Sequence, residues 1–200
     1  QPLFKLIEEI ADKGKNLARD MYGLNGWAVH HNISIWREAY PSDGFVYWFF
    51  WNMSGPWLCN HIWEHYLYTK DIDFLKKYYP ILKGSATFCS EWLVENSEGE
   101  LVTPVSTSPE NAYLMPDGIS ASVCEGSTMD IAIIRSLFSN TINASKILQT
   151  DPLFCAELTQ KVNKLKKYQI GSKGQLLEWD KEYMENEPQH RHVSHLFGLY

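Results

Sequence analysis

Five stretches of this chain place apolar residues at helical spacing, and the links between them alternate short and long. In LFKLIEEIADKGKNLARDMY, residues 3–22, Leu3, Leu6, Ile7, Ile10, Leu17 and Met21 share one face and charges take the other. Gly23 and Gly26 mark its end. A second helix is predicted over about 55–69, with Pro56 in its first turn. A third covers about 71–96, capped by Asp71 or Asp73, with Pro80 expected to kink or split it. A fourth covers about 127–149, opening on a capping-box-like Ser127 and Asp130. A fifth covers about 152–166, and a sixth starts near His190. The links at Lys70 and Thr150 are short enough to join antiparallel neighbours. Residues 24–52, 97–126 and 168–189 are long links, the middle one with room for a short β-pair. Short links at one end and long ones at the other suit an all-α toroid of helical hairpins, whose functional loops gather on one rim. The whole chain, 1–200, is then part of one domain. Gln1 and the apolar run ending at Tyr200 suggest a piece truncated at both ends, an incomplete ring.

Charge and hydropathy exclude several partners. The formal net charge is −6 and no basic patch is present, which argues against nucleic acid or an anionic membrane surface. No apolar run approaches the roughly 20 residues that span a bilayer. Cys59, Cys89, Cys124 and Cys155 form no C-x-x-C pair and lie mostly in apolar patterns, so they read as buried free thiols. N-x-S sequons start at Asn32, Asn52 and Asn143; they leave the compartment open, an extracytoplasmic one included. The chain holds 8 Trp, 11 Tyr and 9 Phe, many of them within residues 22–92. Aromatics fill cores, but their faces also stack on the apolar C–H faces of sugars, so an acidic, Trp-rich chain leans towards carbohydrate.

The long links carry the chemistry-bearing residues. The first holds WAVHHN, with His30, His31 and Asn32, and an aromatic such as Trp48 to wall a pocket. The second holds TPVSTSPENAY, with Glu110 and Asn111. The third leads into QHRHVSH, with His190, Arg191, His192 and His195. Metal binding is weakly supported, since His192 and His195 are spaced H-x-x-H without a carboxylate at ligand spacing. Sugar hydrolysis fits better: one acid protonates the leaving oxygen, and arginine and histidines hold hydroxyls. Glu110, stiffened by Pro109 and set among aromatics, is the candidate acid. A helical carbohydrate-binding module without catalysis is a second reading. A toroid polysaccharide lyase is a third; it would need a basic cleft, against which the charge argues.

The phrases GWAVHHNISIW, GPWLCNHIWEHYLYT, PVSTSPENAY, STMDIAIIR, QIGSKGQLLEW and HRHVSHLFGLY resemble, in order and spacing, the catalytic domain of glycoside hydrolase family 95. The resemblance spans essentially the whole chain. It implies an (α/α)6 barrel and an inverting exo-hydrolysis of terminal α-L-fucosyl or L-galactosyl linkages, without metal or other cofactor. The partner it implies is a fucosylated glycan; it leaves the oligomeric state open. Glu110 matches the family's general acid, Arg191 and His192 match sugar-binding positions, and His31 and Asn32 lie in a stretch lining the same cleft. The family's base, an asparagine-held water with an aspartate behind it, is expected outside residues 1–200. Neither Glu125 nor Asp130 takes that role. Glu125-Gly126-Ser127 stands where the family pattern has a small pair, which touches neither Glu110 nor Arg191.

Overall fold

The computed structural model describes residues 1–199 and is mainly helical. Its α-helices are α1 (Pro2–Tyr22), α2 (Val46–Phe49), α3 (Ser54–Thr69), α4 (Ile72–Trp92), α5 (Thr128–Leu148) and α6 (Pro152–Lys164), followed by a 3-10 helix, Ser194–Leu199. Gly23, at φ 66°, ends α1: its N–H donates to the Arg19 carbonyl at 3.1 Å and the Leu24 N–H donates to the Ala18 carbonyl at 3.0 Å. Asp71 caps α4 by accepting from the Phe74 N–H at 2.9 Å. The short links predicted at Lys70 and Thr150 are present, and each joins a pair of packed helices, α3–α4 and α5–α6. The centre is α5, which packs on α3, α4, α6 and the 3-10 helix. Ile131, Ala132, Ile133 and Ile134 are all buried, so over that turn no face of α5 is left to solvent.

Several boundaries differ from those read in the sequence. Pro80 does not split α4: it and Lys76 lie on the exposed side, where water can take up the carbonyl that proline leaves unpaired. That helix stops at Trp92 because the chain turns back on itself. The Asn96 side chain accepts from the Glu98 and Glu100 N–H groups, both at 2.9 Å. The turn pairs β1 (Val94–Glu95) antiparallel with β2 (Leu101–Val102). The aperiodic first link contains α2, and a 3-10 helix stands where the sixth helix was expected. A second small sheet has β3 (Tyr113–Leu114) between β4 (Ser120–Ala121) and β5 (Met184–Glu185). All four cysteines are buried free thiols, and burial pushes Cys59 up to about 12. Among the described residues no helix is long and apolar enough to cross a membrane.

Trp27 and His30 are among the residues of the aromatic first link that enter the core. Trp27 is buried with its indole N–H on the Ile81 carbonyl at 2.9 Å. Its ring fits against glycines: a Cβ at Gly55 or Gly84 would come within 2.7 or 2.9 Å of it. His30 is also buried, so it leaves the set of site candidates. Its Nδ1 lies 3.2 Å from the Phe49 carbonyl oxygen and its Nε2 2.6 Å from the Tyr22 hydroxyl. A carbonyl can only accept, so Nδ1 carries the proton and Nε2 accepts from Tyr22.

Two outcomes follow for stability. Gly26 has φ +79°, and a Cβ there would stand 2.1 Å from the Gly84 carbonyl oxygen. Gly26→Ala therefore costs at least roughly 2 kcal/mol in urea denaturation. Burial lowers the His30 ring to about 4 from an ordinary 6.5. As pH falls through that window the unfolded chain takes the proton first, so stability falls with pH. Comparing wild type with His30→Gln isolates this contribution. The wild type's advantage shrinks by about 2–3 kcal/mol from neutral pH to about pH 4. A difference constant across that range would contradict the buried neutral ring.

Candidate active site

The link between β2 and β3 is a ledge of small hydroxyls, and burial explains its composition. Thr103, Ser106, Thr107 and Ser108 are all buried. A buried hydroxyl costs free energy unless it finds a partner. Two carboxylates supply most of the acceptors. Asp130, in the first turn of α5, accepts from Ser106 at 2.5 Å, from Thr103 at 3.4 Å and from the Trp51 indole at 3.0 Å. Burial raises its carboxyl to about 6, with those donors pulling the other way. Glu178 accepts from Ser108 at 2.5 Å on one oxygen and from the Asn111 amide at 3.0 Å on the other. Thr107 donates to the Phe50 carbonyl at 3.3 Å, and Ser106 and Cys124 exchange backbone hydrogen bonds at 2.9 and 3.0 Å.

Glu110 stands at the edge of this ledge with its side chain 20% exposed. Arg191 donates from Nη2 to its Oε2. His192 Nε2 lies 3.6 Å from the same oxygen, and His31 Nε2 lies 3.8 Å from Oε1. Both distances are too long for hydrogen bonds. The Ser194 hydroxyl donates to the Pro109 carbonyl, which ties the histidine-rich segment to the ledge. Three separate links thus meet at one carboxylate. Glu110 also lines two cavities. One, about 360 Å³, is walled largely by apolar groups, among them Trp51, Trp57, Leu58 and Met129, with His31 and His192. The other, about 330 Å³, is more polar and includes Trp48, Asn111, Asn186, Glu187 and Arg191.

Of the residues singled out in the sequence, His31, Trp48, Asn111, Arg191 and His192 therefore gather around Glu110. Asn32 does not join them: it is exposed and donates to Ser42 Oγ at 2.8 Å. His190 pairs instead with Glu187, its Nδ1 3.0 Å from the carboxylate. His192 and His195 diverge, His192 to Glu110 and His195 to Glu178, with Nδ1 at 3.8 Å. Among the described residues no three histidines, cysteines or carboxylates are grouped to hold a metal ion.

Trp51, Asp130 and Glu178 were not picked out as site residues. Asp130 fitted a capping box, which hid its other role. Its N–H does bond to Ser127 Oγ at 3.3 Å, but its carboxylate turns to the ledge, and the Ser127 N–H goes to Ser106 Oγ at 3.0 Å. Glu178 lies in the QIGSKGQLLEW phrase, but nothing in that phrase marked it as a site residue. Only the density of hydroxyls in TPVSTS hinted that buried acceptors must exist elsewhere.

Known proteins resemble this chain over its whole length. The chain is 42% identical over 202 residues to Alpha-L-fucosidase 2 of Arabidopsis thaliana, covering 100% of this chain and 24% of that protein. It is 29% identical over 209 residues to Probable alpha-fucosidase A of Aspergillus niger, covering 100% of this chain and 26% of that protein. The chain thus spans about a quarter of the length of these relatives. The glycosyl hydrolase family 95 catalytic domain matches residues 1–200, the ledge and the histidine-rich segment included, and the chain belongs to that family.

Proposed function

We propose that this chain forms part of the (α/α)6 catalytic barrel of an inverting exo-glycosidase that removes terminal α-L-fucose, or the related L-galactose, from a glycan. The observation that carries this reading is the position of Glu110, on the wall common to an apolar and a polar cavity. A general acid must stand between the sugar that is cut off and the group that leaves. L-Fucose lacks the 6-hydroxyl and carries a methyl group, which suits the cavity walled by Trp51, Trp57, Leu58 and Met129. The polar cavity beside Trp48 suits the hydroxyls of the departing glycan.

The chemistry follows from inversion. Glu110 gives its proton to the glycosidic oxygen as the bond to the anomeric carbon breaks. Water attacks that carbon from the opposite face, activated by groups outside residues 1–200. His31, His192 and Arg191 hold sugar hydroxyls while positive charge builds on the ring. Arg191 now bonds the Glu110 oxygen that the glycosidic oxygen would need to approach. Arg191 is free to turn away, because its side chain is 64% exposed. Bound sugar would draw the guanidinium to its hydroxyls and exclude water from the carboxyl.

The test uses the full-length protein. Wild type releases β-L-fucose first from an α-L-fucosyl disaccharide, as read by NMR of the nascent sugar. Glu110→Gln lowers kcat on that disaccharide by about 10²- to 10⁴-fold, yet loses far less on α-L-fucosyl fluoride, whose leaving group needs little proton help. Equal losses on both substrates would remove Glu110 from the acid's role. Binding without turnover by the wild type would favour a recognition module instead.

A further inference from the structure

We propose that Glu178 is the positioning residue for the general acid: it holds Glu110 in register by gripping the loop on both sides of it. This rests on the role proposed for Glu110. One carboxylate bridges residues 108 and 111, with the catalytic carboxylate between them in the chain. Ser108 donates to Oε1 at 2.5 Å and the Asn111 amide donates to Oε2 at 3.0 Å. Both partners are donors, and the carboxylate presents one acceptor oxygen to each.

Glu178 is itself held. Its backbone carbonyl accepts from the Thr128 N–H at 3.0 Å, and the Thr128 hydroxyl donates to the Leu177 carbonyl at 2.6 Å. Thr128 begins α5, the most buried helix. A rigid path therefore runs from the centre of the core to the catalytic loop. The Glu178 side chain is 15% exposed, against 64% for Arg191, which bonds Glu110 itself. Arg191 can leave Glu110 when sugar arrives; Glu178 is placed to stay. His195 faces it at 3.8 Å and adds a cationic neighbour whenever that ring is protonated.

A positioning role makes a specific demand on kinetics. If Glu178 acts only through Glu110, its loss matters in proportion to how much proton help the leaving group needs. The test measures kcat and KM of the full-length protein and its Glu178→Ala, Glu178→Gln and Glu178→Asp variants. The substrates are an α-L-fucosyl disaccharide, aryl α-L-fucosides with progressively more acidic phenols, and α-L-fucosyl fluoride. Glu178→Ala is expected to lower kcat on the disaccharide by about 10²-fold with KM changed by less than about threefold. The loss shrinks as the leaving group becomes more acidic and is least on the fluoride. Glu178→Gln falls between, because its amide keeps one acceptor and points a donor at a donor. In a Glu110→Gln background, Glu178→Ala adds little, since the group it positions is gone.

Circular dichroism identifies any variant that does not fold; the isosteric Glu178→Gln then carries the comparison. Losses equal across all leaving groups, additivity with Glu110→Gln, or unchanged kcat would each overturn the proposal. If Glu110→Gln itself shows no dependence on the leaving group, the acid assignment falls first and this inference falls with it.

Discussion

Buried hydroxyls must find acceptors, and that requirement organises the site. The stretch Thr103–Ser108 carries hydroxyls into the interior at four buried positions. Neither small sheet can absorb those side chains, because sheet pairing uses backbone groups. Asp130 and Glu178 take up three of them between them. Each carboxylate costs free energy to bury and is tolerable only with several donors. The requirement is therefore mutual: the loop needs the acids and the acids need the loop. Both acids are anchored to the first turn of α5, Asp130 directly and Glu178 through Thr128. The most buried helix thereby fixes a segment that has no regular structure of its own.

The same geometry divides fixed groups from movable ones. Ser106, Ser108 and Asp130 are buried, and the two hydroxyls donate to Asp130 and Glu178. Arg191 and His192 approach Glu110 from the exposed side. A catalyst needs both kinds. The acid must hold its place within a fraction of an ångström, while the groups that greet the sugar must exchange their partners for its hydroxyls. Trp51 joins the two sets, since its indole N–H is held by Asp130 while its ring walls the apolar cavity.

What could be read in the sequence, and what could not, follows from the range of each signal. Helices α1, α3, α4, α5 and α6 were legible because burial imposes a period on them. The meeting of His31, Glu110, Arg191 and His192 was legible through motifs, not periodicity. His30 and His31 were indistinguishable as letters. The chain is extended there, with Val29 bridged to Met53, so successive side chains point to opposite sides. One histidine enters the core against Tyr22 and Phe49 and its neighbour reaches Glu110. Asp130 and Glu178 bond to residues 24 and 70 positions away in sequence, and no local pattern carries information at that distance. Asn32, by contrast, has a local partner in Ser42, and its place beside the two histidines in sequence was misleading.

In the proposed reaction Glu110 stands at the boundary between the sugar that is cut and the group that departs. The most direct measurement is a crystal structure of the full-length Glu110→Gln protein with an intact α-L-fucosyl disaccharide bound. The side-chain amide at position 110 is expected within about 3 Å of the glycosidic oxygen. The fucose methyl is expected against Trp51 and Trp57, and Arg191 on sugar hydroxyls. A disaccharide bound with its glycosidic oxygen remote from position 110, or with the deoxysugar on the Trp48 side, would contradict this placement.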